Sequence, residues 1–573
     1  MTNSVFDFCF YRNATQQKKK YSCTSQIIKE RYNHGSVSIC MTTNSKKNRD
    51  DIRLRVTLFL TNLRIRVDSN HVVRICLWLP LIEPLTCDNP EAIDENQTNV
   101  TLRKRLNAFS GTMFIVNYMV GSGIFVTPHL VIIEAGSYGA TLIVWIVCSI
   151  VIMCGCLINV ELGCMLPLAG GTYEHMLVGL HRIAAYLFSW TYLILISPGA
   201  CAVGSLSFSS YILAIFFPCG APLVLRRILA FCCIWLFVIM NALNIELVNL
   251  CHKIFAAGKL ITLFAIIVMG MHGLDTGGAS NFKNFFANTT SEPLKFSLAF
   301  HSVIFTFSGW NGLNFLAEEL QNPARSLPIA SILGLTIVSF CFLWVNISYM
   351  FILTTEEMQT VSTTAVAFAS KVWQPLGIVF SILVSLSMLG YINSELNATS
   401  RILYGASRRG HLPCPFRLLT VSQSSPAAAL LTIGVLASIY LAIDELNILV
   451  YMVSFSEVTF YIILAATFLL LRLKHPNIKR PFRANIGFAV AFALVMVFIL
   501  IISLAASPHS CAVAAALILA GIFFYPLAIY KKHIWFVMLY DRFTMILQKS
   551  LLSVPSSPSE DLSKYILDTI NST

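Results

Sequence analysis

Charged residues are scarce in this sequence. Of its 573 residues, only 12% are charged and 56% are hydrophobic, and the mean hydropathy is +0.71. A soluble core cannot absorb that much apolar surface, so the composition excludes an ordinary water-soluble protein. The net charge is +12, and the basic residues lie mainly in the first hundred residues and in short segments between apolar blocks. That placement is typical of membrane topology and does not indicate a nucleic-acid partner.

Motifs of catalysis are also missing. The sequence contains no HExxH zinc motif, no GxSxG nucleophile elbow and no plausible reactive pair of carboxylates. Seventeen cysteines are present, but they form no CxxC pair, and many lie in apolar surroundings, as small buried hydrophobes do. We therefore expect a protein that is not an enzyme and that uses no metal and no cofactor.

The first hundred residues lack the apolar segment of a cleavable signal. Two stretches there, VTLFLTNLRIRV and VVRICLWLPLIEPL, are too short and too charged to span a bilayer. We expect residues 1–101 to be a polar, disordered cytosolic leader, 102–545 a transmembrane transporter domain, and 546–573 a cytosolic C-terminal tail. An artefact of gene prediction is an alternative explanation of the leader.

The remainder of the chain consists of apolar blocks near twenty residues long, the length that crosses a bilayer. These blocks show no two-residue alternation, which argues against a β-barrel and favours helices. The sequence predicts an all-α integral membrane protein with about twelve transmembrane helices. The predicted spans are 108–133, 139–165, 182–216, 226–244, 252–272, 298–319, 328–353, 373–405, 424–443, 446–471, 487–507 and 511–530.

Basic residues between the blocks predict the orientation. The positive-inside rule places segments rich in lysine and arginine in the cytosol. With a cytosolic N-terminus, outer segments receive acids such as Glu356 and Glu445, and only Arg226 and Arg227 oppose the rule. We expect a multi-pass protein with both termini in the cytosol. The inner segments would hold Arg103, Lys104, Arg105, Arg408, Arg409, Arg417, Arg472, Lys474, Lys479, Arg480, Arg483, Lys531 and Lys532.

Glycine and serine interrupt the first predicted span. Gly121, Ser122 and Gly123 lie within the apolar stretch VGSGIFVTP, and two glycines weaken a helix at that point. If the helix unwinds there, free N–H groups and the N-terminus of the next half-helix would suit a substrate carboxylate. A close contact between two helices explains the same small residues equally well.

The sixth predicted span contains a second interruption. The stretch FTFSGWNGLNFLAEELQNP places glycines and polar residues at membrane depth, where they are costly without a cavity. Carbonyl groups released by unwinding can accept hydrogen bonds from an ammonium group. Because interruptions in spans one and six correspond in two five-helix inverted repeats, we expect a zwitterion site near the membrane midplane. The polar and glycine residues are Ser308, Gly309, Asn311, Gly312 and Asn314.

Several motifs resemble those of a known family. GSGIFVTP, PLAGGTYEH, SGWNGLNFLAEELQNPARSLP, NISY and SRILYGASRRGHLP are similar to segments of the light chains of heteromeric amino acid transporters. These light chains form the L-type family of the amino acid-polyamine-organocation superfamily, and the likeness covers about residues 102–545. The resemblance implies a LeuT-like fold, with spans one to five and six to ten as inverted repeats and two further helices.

The resemblance also implies the residues of the substrate site. The break in the first span would hold the substrate carboxylate. Backbone carbonyls at the break in the sixth span would hold the substrate amine, and one aromatic ring would form the outer gate. For Phe305 and Trp310, core packing is the usual explanation of an aromatic residue at helical spacing. The implied residues are Gly121, Ser122 and Gly123 for the carboxylate, Phe305, Thr306 and Ser308 for the amine, Phe305 for the gate, and Trp310 and Asn311 for the pocket wall.

Two single residues carry further expectations. Lys259 lies well inside the fifth span, where a lone ammonium is expensive and needs carbonyl or acidic partners. By the resemblance it would replace the sodium ion of sodium-coupled relatives and link spans one, five and eight. Cys219 lies in a predicted outer loop with no second cysteine, which suggests an intermolecular disulfide. The resemblance implies a single-span glycoprotein heavy chain as its partner, and a merely exposed cysteine is the alternative.

The eighth span departs from the family pattern. It carries Tyr391, Glu395 and Asn397 within LGYINSELNATSR, where relatives mostly have small or aromatic residues. Glu395 would attract a cationic group, or bar an acidic one, if it faced the pocket. If it faced another helix, it would only pair with Arg401 or a polar neighbour. Other acids within spans could be proton sites or helix-pairing sites, and pairing is favoured for Glu161, Glu318, Glu319 and Glu457.

The sequence features predict an amino acid transporter of the plasma membrane, and the resemblance implies that transport is independent of sodium. We expect an exchanger of neutral amino acids, large or aromatic ones included, that works by alternating access. A non-transporting amino acid sensor of the same fold is one alternative. An exchanger of cationic or cystine-type amino acids is another, because the departures in the eighth span bear on specificity.

Overall fold

The computed structural model is helical over most of the chain that it describes. Two short strands, β1 (Arg55–Leu58) and β2 (Thr61–Arg64), form an antiparallel hairpin in which Arg55 pairs with Arg64. Two others, β3 (Leu418–Thr420) and β4 (Ser553–Pro555), pair antiparallel near the other end of the chain. The described residues are 55–58, 61–64, 102–121, 123–217, 221–275, 282, 284–360, 363–421, 423–443, 445–529, 544–551 and 553–555.

Seventeen α-helices account for most of the described residues between 108 and 529. One π-helical segment, Tyr192–Ile196, joins the fifth helix to the sixth, and 3₁₀ segments cover Gly312–Glu319 and Cys414–Arg417. The helices are α1 (Ala108–Met119), α2 (Gly123–Ala135), α3 (Tyr138–Met165), α4 (Thr172–Gly179), α5 (Arg182–Thr191), α6 (Ser197–Phe216), α7 (Leu223–Leu243), α8 (Ile245–Asp275), α9 (Pro293–Thr306), α10 (Pro323–Ile352), α11 (Thr355–Thr360), α12 (Thr364–Val372), α13 (Leu376–Arg408), α14 (Ala427–Tyr440), α15 (Leu446–Lys474), α16 (Ile486–Ala506) and α17 (Pro508–Ile529).

Length and composition identify the membrane spans. Nine helices among the described residues are long and apolar enough to cross a bilayer, and α1 with α2 makes a tenth span. The two other predicted spans are shorter helical pieces, α9 with the following 3₁₀ segment and the fourteen-residue α14. Large apolar side chains such as Phe523 and Leu494 stay exposed along these helices, as lipid-facing residues do. The prediction of an all-α integral membrane protein is confirmed.

The first span is broken where the sequence predicts it. Helix α1 begins at the N-cap Asn107, whose side chain accepts from the Ser110 N–H at 2.8 Å, and it ends at Met119. Val120 leaves the helical conformation, with ψ at 80°, and α2 starts at Gly123. The axes of α1 and α2 differ by 46°. The glycines therefore separate two half-helices inside one span.

The sixth span is broken in the same way. Helix α9 stops at Thr306, a turn follows, and the chain resumes as a 3₁₀ segment from Gly312. Gly309 has φ at 95°, a left-handed conformation that a side chain would strain, and its ideal Cβ would lie 2.9 Å from the Tyr118 ring. Helix α2 packs directly against α9, so the two interrupted spans lie side by side. This arrangement is consistent with the LeuT-like fold.

Ion pairs tie the helices together near the chain segments that the charge pattern places in the cytosol. Glu161 pairs with Arg472 at 2.6 Å and with Arg480 at 3.1 Å. The predicted pairing of three acids is therefore confirmed, because arginines also hold Glu318 and Glu319. The other pairs are Glu174–Arg409 at 2.9 Å, Glu318–Arg408 at 2.9 Å and Glu319–Arg401 at 2.7 Å.

Candidate functional site

Close packing joins the two breaks. The ideal Cβ of Gly123 would lie 2.6 Å from the Thr306 Cγ2 and 2.9 Å from its Cα, so only glycine allows this approach. The Thr127 and Thr306 hydroxyls share a hydrogen bond of 2.8 Å across the same contact. The N-terminus of α2 therefore lies directly on the C-terminus of α9. Ser122 lies outside the described residues.

Helix α13, the eighth span, covers the first break from the other side. An ideal Cβ on Gly121 would lie 3.3 Å from Cδ2 of Tyr391, and the Tyr391 ring stands 6.0 Å from that of Tyr118. The Ser387 hydroxyl donates to the Val120 carbonyl at 3.0 Å. The divergent residue Tyr391 thus contacts the break itself.

The turn after α9 presents backbone and side-chain groups toward the interior. The Ser308 N–H donates to the Phe305 carbonyl at 3.0 Å, which closes the turn. Thr306 and Asn311 are buried, whereas Phe305 is half-buried. The predicted site residues of the sixth span are therefore contiguous with the Gly123 contact.

Trp310 points away from this contact. Its ring packs against Tyr461 of α15 at 5.2 Å and against Phe492 of α16 at 5.7 Å between centroids. The indole Nε1 is buried and has no hydrogen-bond partner among the described residues. The ring takes part in core packing.

Glu395 faces the first break and does not pair with Arg401. Its Oε2 accepts from the Tyr118 hydroxyl at 2.6 Å and its Oε1 from the Thr399 hydroxyl at 2.9 Å. Arg401 donates instead to Glu319. Because Tyr118 is the penultimate residue of α1, Glu395 lies against the end of the first half-helix.

Glu457 of α15 lies at the second break. The Ser308 hydroxyl donates to its two carboxylate oxygens at 2.8 and 2.9 Å. No arginine, lysine or histidine forms an ion pair with Glu457 in the described part of the chain. Glu457 therefore links α15 to the sixth span through a serine hydroxyl, whereas the three acids above pair with arginine. Its position in an apolar run was the only sequence signal.

Lys259 is buried in α8 and reaches the first span. Its ammonium donates to the Asn117 carbonyl at 2.6 Å, one turn before the break. An ideal Cβ on Gly390 of α13 would lie 3.0 Å from the Lys259 Cε, so the side chain passes between spans one and eight. The structure therefore shows that Lys259 links spans one, five and eight. The link to sodium remains a prediction.

A polar cluster beside Lys259 was not anticipated from the sequence. The Asn117 amide contacts the His252 Nδ1 at 3.0 Å and the Ser394 hydroxyl at 3.1 Å, and the Asn397 amide contacts the His252 Nε2 at 3.1 Å. Asn397 is one of the departures in the eighth span, but its partner His252 was missed. His252 is the eighth residue of α8 and belongs to no recognisable sequence motif, so its role in the cluster is visible only in the packed structure.

Comparison with known proteins identifies the family. The amino acid permease family matches residues 106–525. The chain belongs to the amino acid permease family. This permease is 33% identical over 476 residues to the b(0,+)-type amino acid transporter 1 of Mus musculus, which covers 82% of the chain and 97% of the relative. It is 33% identical over 438 residues to the Large neutral amino acids transporter small subunit 2 of Homo sapiens, covering 76% of the chain and 82% of the relative.

The resemblance to light chains of heteromeric amino acid transporters is confirmed by these matches. The permease family and the relatives are those of transporters rather than of enzymes, and the helices are those of a multi-pass membrane protein. Cys219, the expected attachment point of a heavy chain, lies outside the described residues. The family and the membrane fold of the permease are therefore shown.

Proposed function

We propose that this permease exchanges amino acids across the plasma membrane by alternating access, without sodium. The observation that carries the proposal is the contact between two interrupted spans, where α2 begins and α9 ends. A helix N-terminus offers N–H donors and a positive dipole to a carboxylate, and a helix C-terminus offers carbonyls to an ammonium. The two ends together suit the zwitterionic part of an amino acid. The names of its relatives support amino acids as the substrate.

The proposed carboxylate site is Gly121, Ser122 and Gly123, and the proposed amine site is the carbonyls of Phe305, Thr306 and Ser308. Burial supports this assignment, since Gly121, Gly123 and Thr306 are shielded from solvent. Every amino acid has an α-carboxylate and an α-ammonium, so these contacts leave the side-chain class to residues beyond the breaks.

Uptake of labelled amino acids into proteoliposomes tests the proposal. The vesicles are loaded or not with unlabelled amino acid, and sodium is replaced by choline. Saturable uptake that requires internal substrate is the expected result. Ser122→Trp should abolish it, because the indole fills the carboxylate site, while Gly258→Trp should not, because nothing lies within 4 Å of an ideal Cβ on Gly258. Binding without flux in a folded protein would favour a sensor.

Sodium independence is proposed to depend on Lys259, whose ammonium already supplies a positive charge beside the first break. Lys259→Met should slow exchange at least about tenfold, because the link from α8 to the Asn117 carbonyl is lost. Lys253→Met, on an exposed position of the same helix, is the matched control and should leave exchange unchanged. Stimulation of the wild-type permease by sodium would contradict the proposal.

A heavy chain joined through Cys219 is the proposed partner. One relative is named a small subunit, which supports association with a second subunit. The proposed topology keeps residues 1–101 and 546–573 in the cytosol around the transporter domain 102–545, in line with the basic segments between spans.

A further inference from the structure

Two buried carboxylates at the substrate site lack a basic partner. Five glutamates are buried in the described part of the chain, and three of them pair with arginine: Glu161, Glu174 and Glu319. The two that do not, Glu395 and Glu457, are the ones at the breaks. A buried charge without a counter-charge is costly, so this pattern marks a functional site more than a structural one.

All the side-chain hydrogen bonds that hold these two carboxylates come from hydroxyl groups. Tyr118 and Thr399 donate to Glu395, and Ser308 donates to Glu457. Donors of this kind stabilise the ionised carboxylate without cancelling its charge. Both carboxyl groups also lie near the Tyr192 hydroxyl. They therefore border one region between the broken spans and the third span.

Two polar atoms in the same region are incompletely satisfied. The Trp310 Nε1 and the Tyr461 hydroxyl are buried without a hydrogen bond of good geometry, and the Tyr461 hydroxyl lies near Ser308 and the Trp310 indole. Tyr461 lies one helical turn after Glu457, and its ring contacts that of Trp310. Buried polar groups are almost always paired with good geometry, so these two atoms have hydrogen-bonding capacity left for a molecule bound beside Glu457.

We propose that Glu395 binds the positively charged end of a cationic amino acid side chain, and that Glu457 faces the α-ammonium common to all substrates. This inference rests on the proposed transport function and adds its substrate class. Glu457 touches Ser308, in the segment proposed for the amine. Glu395 lies across the region, against Tyr118 at the end of α1. A guanidinium or ammonium group at Glu395 supplies the missing counter-charge, and guanidinium matches a carboxylate through two parallel hydrogen bonds.

The test compares substrates of similar shape and different charge, and arginine and citrulline are the closest match in size. Exchange is measured in proteoliposomes with arginine against citrulline, and with lysine against norleucine. The wild-type permease should prefer the cationic member of each pair at least about tenfold in apparent affinity, because a buried charge pair is lost with the neutral analogue. This comparison needs no substitution, so it stands even if a variant fails to fold.

Two variants separate the roles. Glu395→Gln should lower the ratio of arginine affinity to citrulline affinity about tenfold, since only the side-chain charge loses its partner. Glu457→Gln should weaken arginine and citrulline in parallel and leave their ratio unchanged. Glu134→Gln is the matched control, because Glu134 is also held by a serine hydroxyl alone, that of Ser302, but it lies at the far end of α2. It should change neither affinity nor ratio.

Several outcomes would overturn the inference. Active exchange that does not distinguish cationic from neutral substrates would show that Glu395 does not bind the substrate side chain. Proton uptake coupled to citrulline transport, and lost in Glu395→Gln, would assign the carboxylate to proton coupling instead. Parallel loss of both substrates in Glu395→Gln would make it a structural residue. Absence of exchange for every amino acid would overturn the proposed function as well.

Discussion

Gly123, the first residue of α2, has no room for a side chain. Its ideal Cβ would lie 2.9 Å from the Thr306 backbone, so a methyl group must push the two half-helices apart. Gly123→Ala should reduce exchange roughly tenfold or more, because a shift of the binding groups is expensive. Gly258→Ala faces open space and should keep full activity. Exchange assays on both variants check this, and an active Gly123→Ala would contradict it.

His175, in α4 between the second and third spans, makes stability depend on pH. Burial lowers the pKa of His175 to about 4, whereas the unfolded chain has an ordinary pKa of about 6.5. Between these values the unfolded state binds more protons, so the free energy of unfolding falls as the pH falls. The loss at pH 5 is about 2 kcal/mol.

The measurement is thermal unfolding in detergent from pH 7 to pH 5. His175→Gln should lose less stability over this range than the wild-type permease. His509→Gln, at an exposed position, should follow the wild type. Equal slopes for all three proteins would show that His175 does not stay neutral in the fold.

A buried ion pair joins helix α13 to the 3₁₀ segment of the sixth span. Arg401 donates to Glu319 at 2.7 Å, and both side chains are less than a tenth exposed. Arg401→Met leaves Glu319 buried and unpaired, so it should destabilise the permease by about 3–5 kcal/mol. Adding Glu319→Gln should restore most of the loss, because no charge then remains.

An exposed ion pair between α11 and α12 is the control for the buried pair of Arg401. Lys371 and Glu357 pair at side chains about 40% exposed, where solvent screens the charges. Lys371→Met should cost less than about 1 kcal/mol. Thermal unfolding of the purified variants measures all three changes, and equal effects at Arg401 and Lys371 would contradict the assignment.

At the scale of the whole molecule, the main prediction is assembly with a second chain through Cys219, which lies outside the described residues. Cys219→Ser should abolish a disulfide-linked species seen on non-reducing gels of membranes, because this cysteine is the proposed attachment point. Cys232→Ser is the matched control, since Cys232 is free and exposed on α7. A linked species that persists in Cys219→Ser would place the bond elsewhere.

The spans and their breaks were predictable from the sequence because both depend on local chemistry. Apolar blocks of bilayer length must be helices, and glycines at residues 121, 123, 309 and 312 weaken a helix wherever it packs. Motifs around the same glycines also indicated the family. The contacts of Glu395 and Glu457 were not predictable in this way, since a glutamate in an apolar run is equally compatible with a helix-pairing residue and a site residue.

The sequence by itself determined that this permease is a bundle of membrane helices interrupted in spans one and six, because hydrophobic length and backbone flexibility are properties of each segment. Only the tertiary structure decided which acids pair. Arg401 lies six residues from Glu395 yet bonds Glu319, and Glu457 meets Ser308 from another helix. Partner choice depends on distances between segments far apart in the chain, and those distances arise from packing alone.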